Sequence, residues 1–384
     1  MNSIVHPMKT KIIFFTLLIV ISVKDISAQL PLRDIIYAGT SSVRGSKGIY
    51  VFEFDRLHGK FKELQTVTEG TGPGFLALSP DNKILYSIYS KGTMSDGNGS
   101  VMSFKIDAQS GLLTKLNEQS CGGRGPAHIS VDPKGRFAYV SNYGDGSLSV
   151  FPINQDGSLA KASDFIKHTG SSIVAGRQER SYIHSAIPSH NGKFLYVSDL
   201  GIDKIMIYKV NKNGKLSPAV VPYVKNTPGS GPRHFKIHPN GKFAYSAEEI
   251  SSTVASFLVN KRTGELKALE RLDMRPEGFT ERNSAADIHF SPDAKFLYAS
   301  NRGHESLVIY KVDRKNGKLS LVGHENTGGK HPRNFMIDKK GEFALTANQN
   351  TDNVVVFERN KTTGKLKPTG EQIIVPAVTC LIQL

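Results

Sequence analysis

Gly229 to Glu249 reads GSGPRHFKIHPNGKFAYSAEE, and variants of this stretch recur down the chain. After Gly231-Pro232, Arg233 to His238 form one extended segment. Pro239-Asn240-Gly241-Lys242 supplies a turn, with Gly free to take positive φ and Asn tolerant of the left-handed region. Phe243-Ala244-Tyr245-Ser246-Ala247 then returns as a second strand. In an antiparallel hairpin the start of the first strand lies beside the end of the second. Arg233 and His234 are therefore expected near Glu248 and Glu249, so a guanidinium, an imidazole and carboxylates converge at one rim.

The unit repeats at intervals of about 50 residues, a period that points to a solenoid or a propeller. Second strands recur at Ile35-Ile36-Tyr37-Ala38, Ile84-Leu85-Tyr86-Ser87, Phe137-Ala138-Tyr139-Val140, Phe194-Leu195-Tyr196-Val197, Phe243-Ala244-Tyr245-Ser246, Phe296-Leu297-Tyr298-Ala299 and Phe343-Ala344-Leu345-Thr346. A third strand follows each, then a turn at Gly59, Gly111, Gly157, Gly214, Gly264, Gly317 or Gly364 and a short fourth strand opening at that turn. First strands begin near Gly74, Ala127, Tyr182, Arg233, Ala286 and Arg333, one fewer than the second strands. Ala377 to Ile382 supplies the missing one, so one blade is assembled from both termini and no sheet edge is left open. The expected fold is all-β: a seven-bladed β-propeller of four-stranded antiparallel blades. Helix-period patterns are absent outside the N-terminal segment.

Lys9 and Lys11 precede an apolar run, Ile12 to Val23, too short to span a bilayer, and Ile26-Ser27-Ala28 offers small residues for a signal peptidase. The expected organisation is a signal peptide, 1–28, and a propeller domain, 29–384. The mature protein would start at Gln29 and be periplasmic or secreted, without stable membrane insertion. Net charge is +15, yet no basic run reaches five residues and the lysines scatter through turns, which argues against nucleic acid. The chain has no Trp, which excludes the WD, kelch and aspartate-box propellers and disfavours a quinone stacked on Trp. No His/Cys cluster has zinc spacing and no Gly-rich loop leads a strand into a helix, so neither metal nor cofactor is expected. Cys121 and Cys380 lie in distant repeats and are not expected to pair.

Chemistry is left to the rim, where the repeats stop being equivalent. First strands start with His128, His184, Arg233 and His234, Asp287 and His289, and Arg333 and Asn334. Second strands end with Asn142, Asp199, Glu249, Asn301 and Arg302, and Asn348 and Gln349. All are expected to face one mouth of the central channel. Asn142, Asp199 and Asn348 also read as turn formers, whereas Arg233, Glu249, His184 and Arg302 read either as an ion-pair network or as a site. His168, His190 and His238 fall in turns or loops and receive no role.

The segments GRGPAHISVDPKGRFAYVSNYGDGSLSVF, RQERSYIHSAIPSHNGKFLYVSDLG, GSGPRHFKIHPNGKFAYSAEE, NSAADIHFSPDAKFLYASNRGHESLVIY and KHPRNFMIDKKGEFALTANQNTDNVVVF resemble the seven-bladed β-propeller lactonases, a family that includes bacterial 6-phosphogluconolactonases and fungal carboxymuconate lactonising enzymes. The resemblance covers nearly the whole mature chain. It implies that His184, Arg233 of GPRH, Glu249 and Arg302 of SNRG form the catalytic set, acting on a small anionic lactone in a monomer. His128, His234, Asp287, His289, Arg333, Asn142 and Gln349 would contact the substrate. Many relatives carry Asn where this chain has Glu248; a second carboxylate there either raises the pKa of Glu249 or points outward. Opening a lactone needs water delivered to an ester carbonyl, donors for the oxyanion and a proton for the leaving alkoxide. Arginine supplies the donors, and Glu249 or His184 the base. No Gly-x-Ser-x-Gly elbow is present, which favours direct attack by water. The lactonising direction and a non-enzymatic propeller binding glycan or protein are the alternatives.

Overall fold

Seven four-stranded antiparallel sheets stand around a central channel. The structure, a computed structural model, describes residues 1–4, 33–90 and 98–384. The proposed signal segment falls almost wholly outside them. In chain order blades 1 to 6 occupy 76–124, 126–167, 183–225, 232–273, 284–326 and 332–374. Blade 7 combines the C-terminal strand Val378–Gln383 with Arg33–Thr40, Ile49–Asp55 and Lys60–Val67. The C-terminal strand is innermost and pairs with the N-terminal one through Ala38 opposite Leu381 and Gly39 opposite Cys380. The closure expected from the missing first strand is therefore present.

A tyrosine of the second strand fastens one blade to the next in four of the seven blades. Tyr37, Tyr86, Tyr245 and Tyr298 each donate a hydrogen bond, 2.7 to 2.9 Å long, to the carbonyl of the turn glycine one blade on: Gly111, Gly157, Gly317 and Gly364. The turn must come close to do this. At Gly317, φ is +77° and a Cβ would lie 2.4 Å from the Phe243 ring, so only glycine suits both backbone and space. Apolar clusters likewise bridge neighbours: Phe243, Tyr245 and Val254 of blade 4 pack with Leu297, Val308 and Tyr310 of blade 5. Each such side chain contributes about 1.5–3 kcal/mol by burial.

One local expectation needs correction. In blade 2 the fourth strand is Asp164–Lys167 and does not open directly after Gly157; Leu159 makes only an isolated bridge to Ile153. A single 3₁₀ turn, Leu200–Ile202, follows the second strand of blade 3, its N-terminus capped by Asp199. Cys121 and Cys380 are buried free thiols, that of Cys380 pushed up to about 12 by burial.

Candidate active site

The hairpin of Pro232–Ile237 and Phe243–Glu248 has the expected pairing, with one irregularity at its channel end. Pro232 opposes Glu248 and His234 opposes Ala247, so Arg233 is a bulge. His184 and Arg333 occupy the same position in blades 3 and 6, and Thr379 in blade 7. A bulge breaks the alternation of side chains and re-aims the extra residue. Consecutive residues Arg233 and His234 consequently line one cavity, of about 280 Å³, together with Arg333, Gln349, Phe75 and Thr71.

Behind that cavity Glu249 gathers arginines from three parts of the chain. Its Oε1 accepts from Arg177 Nη2 at 2.5 Å. Its Oε2 accepts from Arg233 Nε at 2.9 Å and lies 3.0 Å from Arg302 Nη2. Backbone carbonyls fix the guanidinium groups further: Arg233 Nη1 donates to Ala286 at 2.6 Å and Arg302 Nη2 to Ala285 at 2.7 Å. Burial by itself pushes the Glu249 carboxyl up, but the charges of Arg302, Arg233 and Arg177 outweigh it and hold it well below the usual carboxylate range. Burial and mutual repulsion lower Arg233 to about 9 and Arg333 to about 10, so both stay charged at neutral pH. Four arginines thus face one carboxylate. Arg333 makes no salt bridge among the described residues, and the buried Nε of Arg302 has no hydrogen-bond partner there.

Three buried imidazoles form the floor. The ring of His234 lies 5.4 Å from that of His128 and 5.2 Å from that of His184, and Phe75 lies tilted against His128 with ring centres 4.5 Å apart. Burial holds all three histidines neutral, helped by the Arg233 charge at His184 and His234, and it brings His234 down to about 3. On each, one buried ring nitrogen has no partner among the described residues: Nδ1 of His128 and His184, Nε2 of His234. His234 Nδ1 meets Asp287 Oδ1 at 2.6 Å.

The candidates do not all face one mouth, which corrects the expectation. Arg233, His234, Arg333 and Gln349 line the cavity, with Glu249 and Arg302 behind Arg233 and with His184 and His128 against His234. His289 and His128 line a second cavity, of about 490 Å³, whose walls include Lys236, Lys339, Phe290 and Met336. Asp287 lies between the two, joined to His234 on one side and to His289 Nε2 at 2.7 Å on the other. Asn142 is inside blade 2, donating to Ser147 and Ser149 at 3.1 Å, and Asn348 donates to Thr327 O at 2.8 Å. Glu248 neither raises the pKa of Glu249 nor reaches solvent: it is fully buried and takes bonds from Arg271, Thr253 and Asn226. His168 is also buried, held by Asp199 and Tyr208 at 2.8 Å each. Sequence reasoning missed Arg177 and Tyr143, the latter 5.4 Å from the ring of His184. Arg177 stands in the RQER segment between blades, and only its basic character marked it. Among the described residues no group of three or more His, Cys, Asp or Glu is arranged to hold a metal ion.

The family described as lactonase, 7-bladed β-propeller, matches residues 35–383. The chain belongs to that family. It is 44% identical to a 6-phosphogluconolactonase of Formosa agariphila, over 85% of this chain and 93% of that one. It is 37% identical to a 6-phosphogluconolactonase of Bacillus subtilis, over 90% and 97%. The solved periplasmic gluconolactonase of Pseudomonas aeruginosa superposes with a TM-score of 0.87 at 32% identity, over 92% of this chain and 99% of that one. The enzyme class expected from the sequence, a lactonase similar to 6-phosphogluconolactonase, stands with these relatives, and the arginine cluster is its candidate active site.

Proposed function

We propose that this lactonase hydrolyses a sugar-derived or carboxylated lactone by attack of water on the ring carbonyl, with arginine holding the charge that develops. The observation that carries the reading is the imbalance at and behind the cavity: Arg177, Arg233, Arg302 and Arg333 outnumber Glu249 and the histidine-bound Asp287. An excess of fixed positive charge in a buried site favours an anionic ligand and an oxyanion alike. Arg333, free of a salt bridge among the described residues, anchors the substrate's anionic or hydroxylated substituent. Arg302, with its unpartnered Nε, and Arg233 face the oxyanion. Glu249 is a weak candidate for the base, since both its oxygens are bonded to arginine and its proton affinity is depressed; its role is to orient the guanidinium groups.

Export supports an unphosphorylated aldonolactone over a phosphosugar. The Lys9/Lys11, Ile12–Val23 and Ile26-Ser27-Ala28 features support cleavage before Gln29, and a structural neighbour is a periplasmic gluconolactonase. The test is acid release in a pH-stat from glucono-δ-lactone, its 6-phosphate and carboxylated lactones. Turnover of the unphosphorylated aldonolactone above its spontaneous rate is the expected result. Turnover of none of them would overturn the reading, and preferential ring closure of an unsaturated carboxylate would assign the lactonising direction instead.

A further inference from the structure

Neither Glu249 nor His184 is equipped as the proton acceptor in the way His234 is. An ionised Asp287 only accepts hydrogen bonds, and it receives four. Its Oδ1 takes His234 Nδ1 at 2.6 Å and the Ile288 N–H at 2.9 Å. Its Oδ2 takes His289 Nε2 at 2.7 Å and the amide of Asn334. Asn334 is itself fixed by accepting the Leu381 N–H at 2.7 Å. Blades 4, 5, 6 and 7 therefore all hold this carboxylate in place. Asp287 is 1% exposed, and although burial pushes its carboxyl up, His289 and His234 keep it well below the usual range. The consequence falls on His234: its Nδ1 must carry the proton, so its Nε2 carries the lone pair.

That Nε2 is buried and has no partner among the described residues, on a residue lining the arginine-rich cavity beside Arg233. His128 and His184 also have a vacant ring nitrogen, but neither has a carboxylate within salt-bridge distance among the described residues, so nothing comparable sets their tautomer or stabilises an imidazolium. We infer that His234 is the general base of this lactonase, with Asp287 as its positioning residue, and that His289 and Asn334 steady Asp287 from the side of the second cavity.

The step rests on the lactonase reading above. His234 Nε2 takes a proton from water as the water oxygen bonds to the lactone carbonyl carbon. The tetrahedral intermediate collapses with cleavage of the ring C–O bond, and the departing alkoxide takes the proton back from Nε2. The new carboxylic acid then loses its own proton to solvent. Burial and the Arg233 charge keep His234 neutral, which leaves the lone pair available. An anionic substrate offsets the arginine charge and raises the proton affinity of His234 when it is needed. Asp287 offsets the imidazolium formed in the transition state, the arrangement known from other histidine bases.

The test uses the intact enzyme and the lactone it turns over fastest. His234→Gln keeps an N–H for Asp287 and similar bulk but has no basic nitrogen. Its kcat should fall by about 10²–10⁴ with little change in KM. Asp287→Asn should lower kcat in the same direction, again with KM retained. In His234→Ala, added imidazole should restore turnover in a saturable way, which a merely structural defect would not allow; it should not restore Asp287→Asn. Parent-like kcat in His234→Gln, with a thermal midpoint near that of the parent, overturns the assignment while leaving the lactonase reading intact. So does a rise in KM alone, or a loss of activity in His234→Ala that imidazole leaves untouched. If the parent itself hydrolyses no lactone, both fall together.

Discussion

Replacing Glu249 with Gln removes the one anion that three arginines share and leaves the shape nearly unchanged. Its carboxylate is 11% exposed and sits against Arg177, Arg233 and Arg302. Breaking a buried ion pair by removing one partner costs about 3–5 kcal/mol, because the remaining charge stays desolvated. With an unfolding entropy of about 2.1 cal/mol/K per residue across the unit Arg33–Leu384, that loss lowers the thermal midpoint by roughly 4–7 °C. The sign with pH follows from linkage. The folded pKa of Glu249 is depressed below its ordinary value of 4.5, so its contribution is complete above that value and is lost as pH falls through the folded pKa. The gap between parent and Glu249→Gln should therefore be full at neutral pH and narrow steadily in acid. Differential scanning calorimetry from about pH 7 to about pH 3 measures both features. Equal midpoints at neutral pH, or a gap that stays constant down the series, would refute the view that Glu249 is the ionised hub of the arginine cluster.

Gly317→Ala puts a Cβ 2.4 Å from the Phe243 ring at a φ of +77°, and should cost about 2 kcal/mol in a denaturant titration while leaving KM alone. Ending the chain before Ala377 removes Val378–Gln383 and bares the backbone of Arg33–Thr40; insolubility or a large fall in thermal midpoint is expected, and an unchanged midpoint would contradict closure by both termini. Arg177→Ala withdraws the partner of Glu249 Oε1 and should raise KM by about tenfold, equivalent to about 1.4 kcal/mol, with a smaller effect on kcat. Mass spectrometry of protein secreted from a bacterial host should find Gln29 as the first residue, and recovery of the full-length chain in the cytosol would speak against export.

The propeller could be read from the sequence because its information is local. A hairpin such as Arg233–Ala247 is specified by its own turn, by alternation and by a repeat that returns every blade, and the count of strands reveals that the two termini share one blade. The recurring second-strand tyrosine and the turn glycine are the two halves of a contact that fastens four pairs of adjacent blades. Motif order likewise singles out Arg233, Glu249 and Arg302, and the fold brings both arginines within 3.0 Å of the carboxylate.

What the tertiary structure alone decided lies between blades. Whether a strand slips by one residue at Arg233, His184 or Arg333 is invisible to an alternation pattern, yet that bulge is what lets Arg233 and His234 reach the same cavity. Arg177 arrives from a segment with no repeat counterpart, and the docking of blade 4 on blade 3 brings it to Glu249, 72 positions away in sequence. Hairpin geometry placed all rim residues at one mouth, whereas the depth of each along the channel separates His289 from Arg333 and sets Asp287 between two cavities. Pairing within a blade is set by neighbouring residues. Convergence at the axis is set by how seven blades close, and there a carboxylate becomes a clamp for arginine, a partner for histidine or a structural anchor according to which strands happen to meet it.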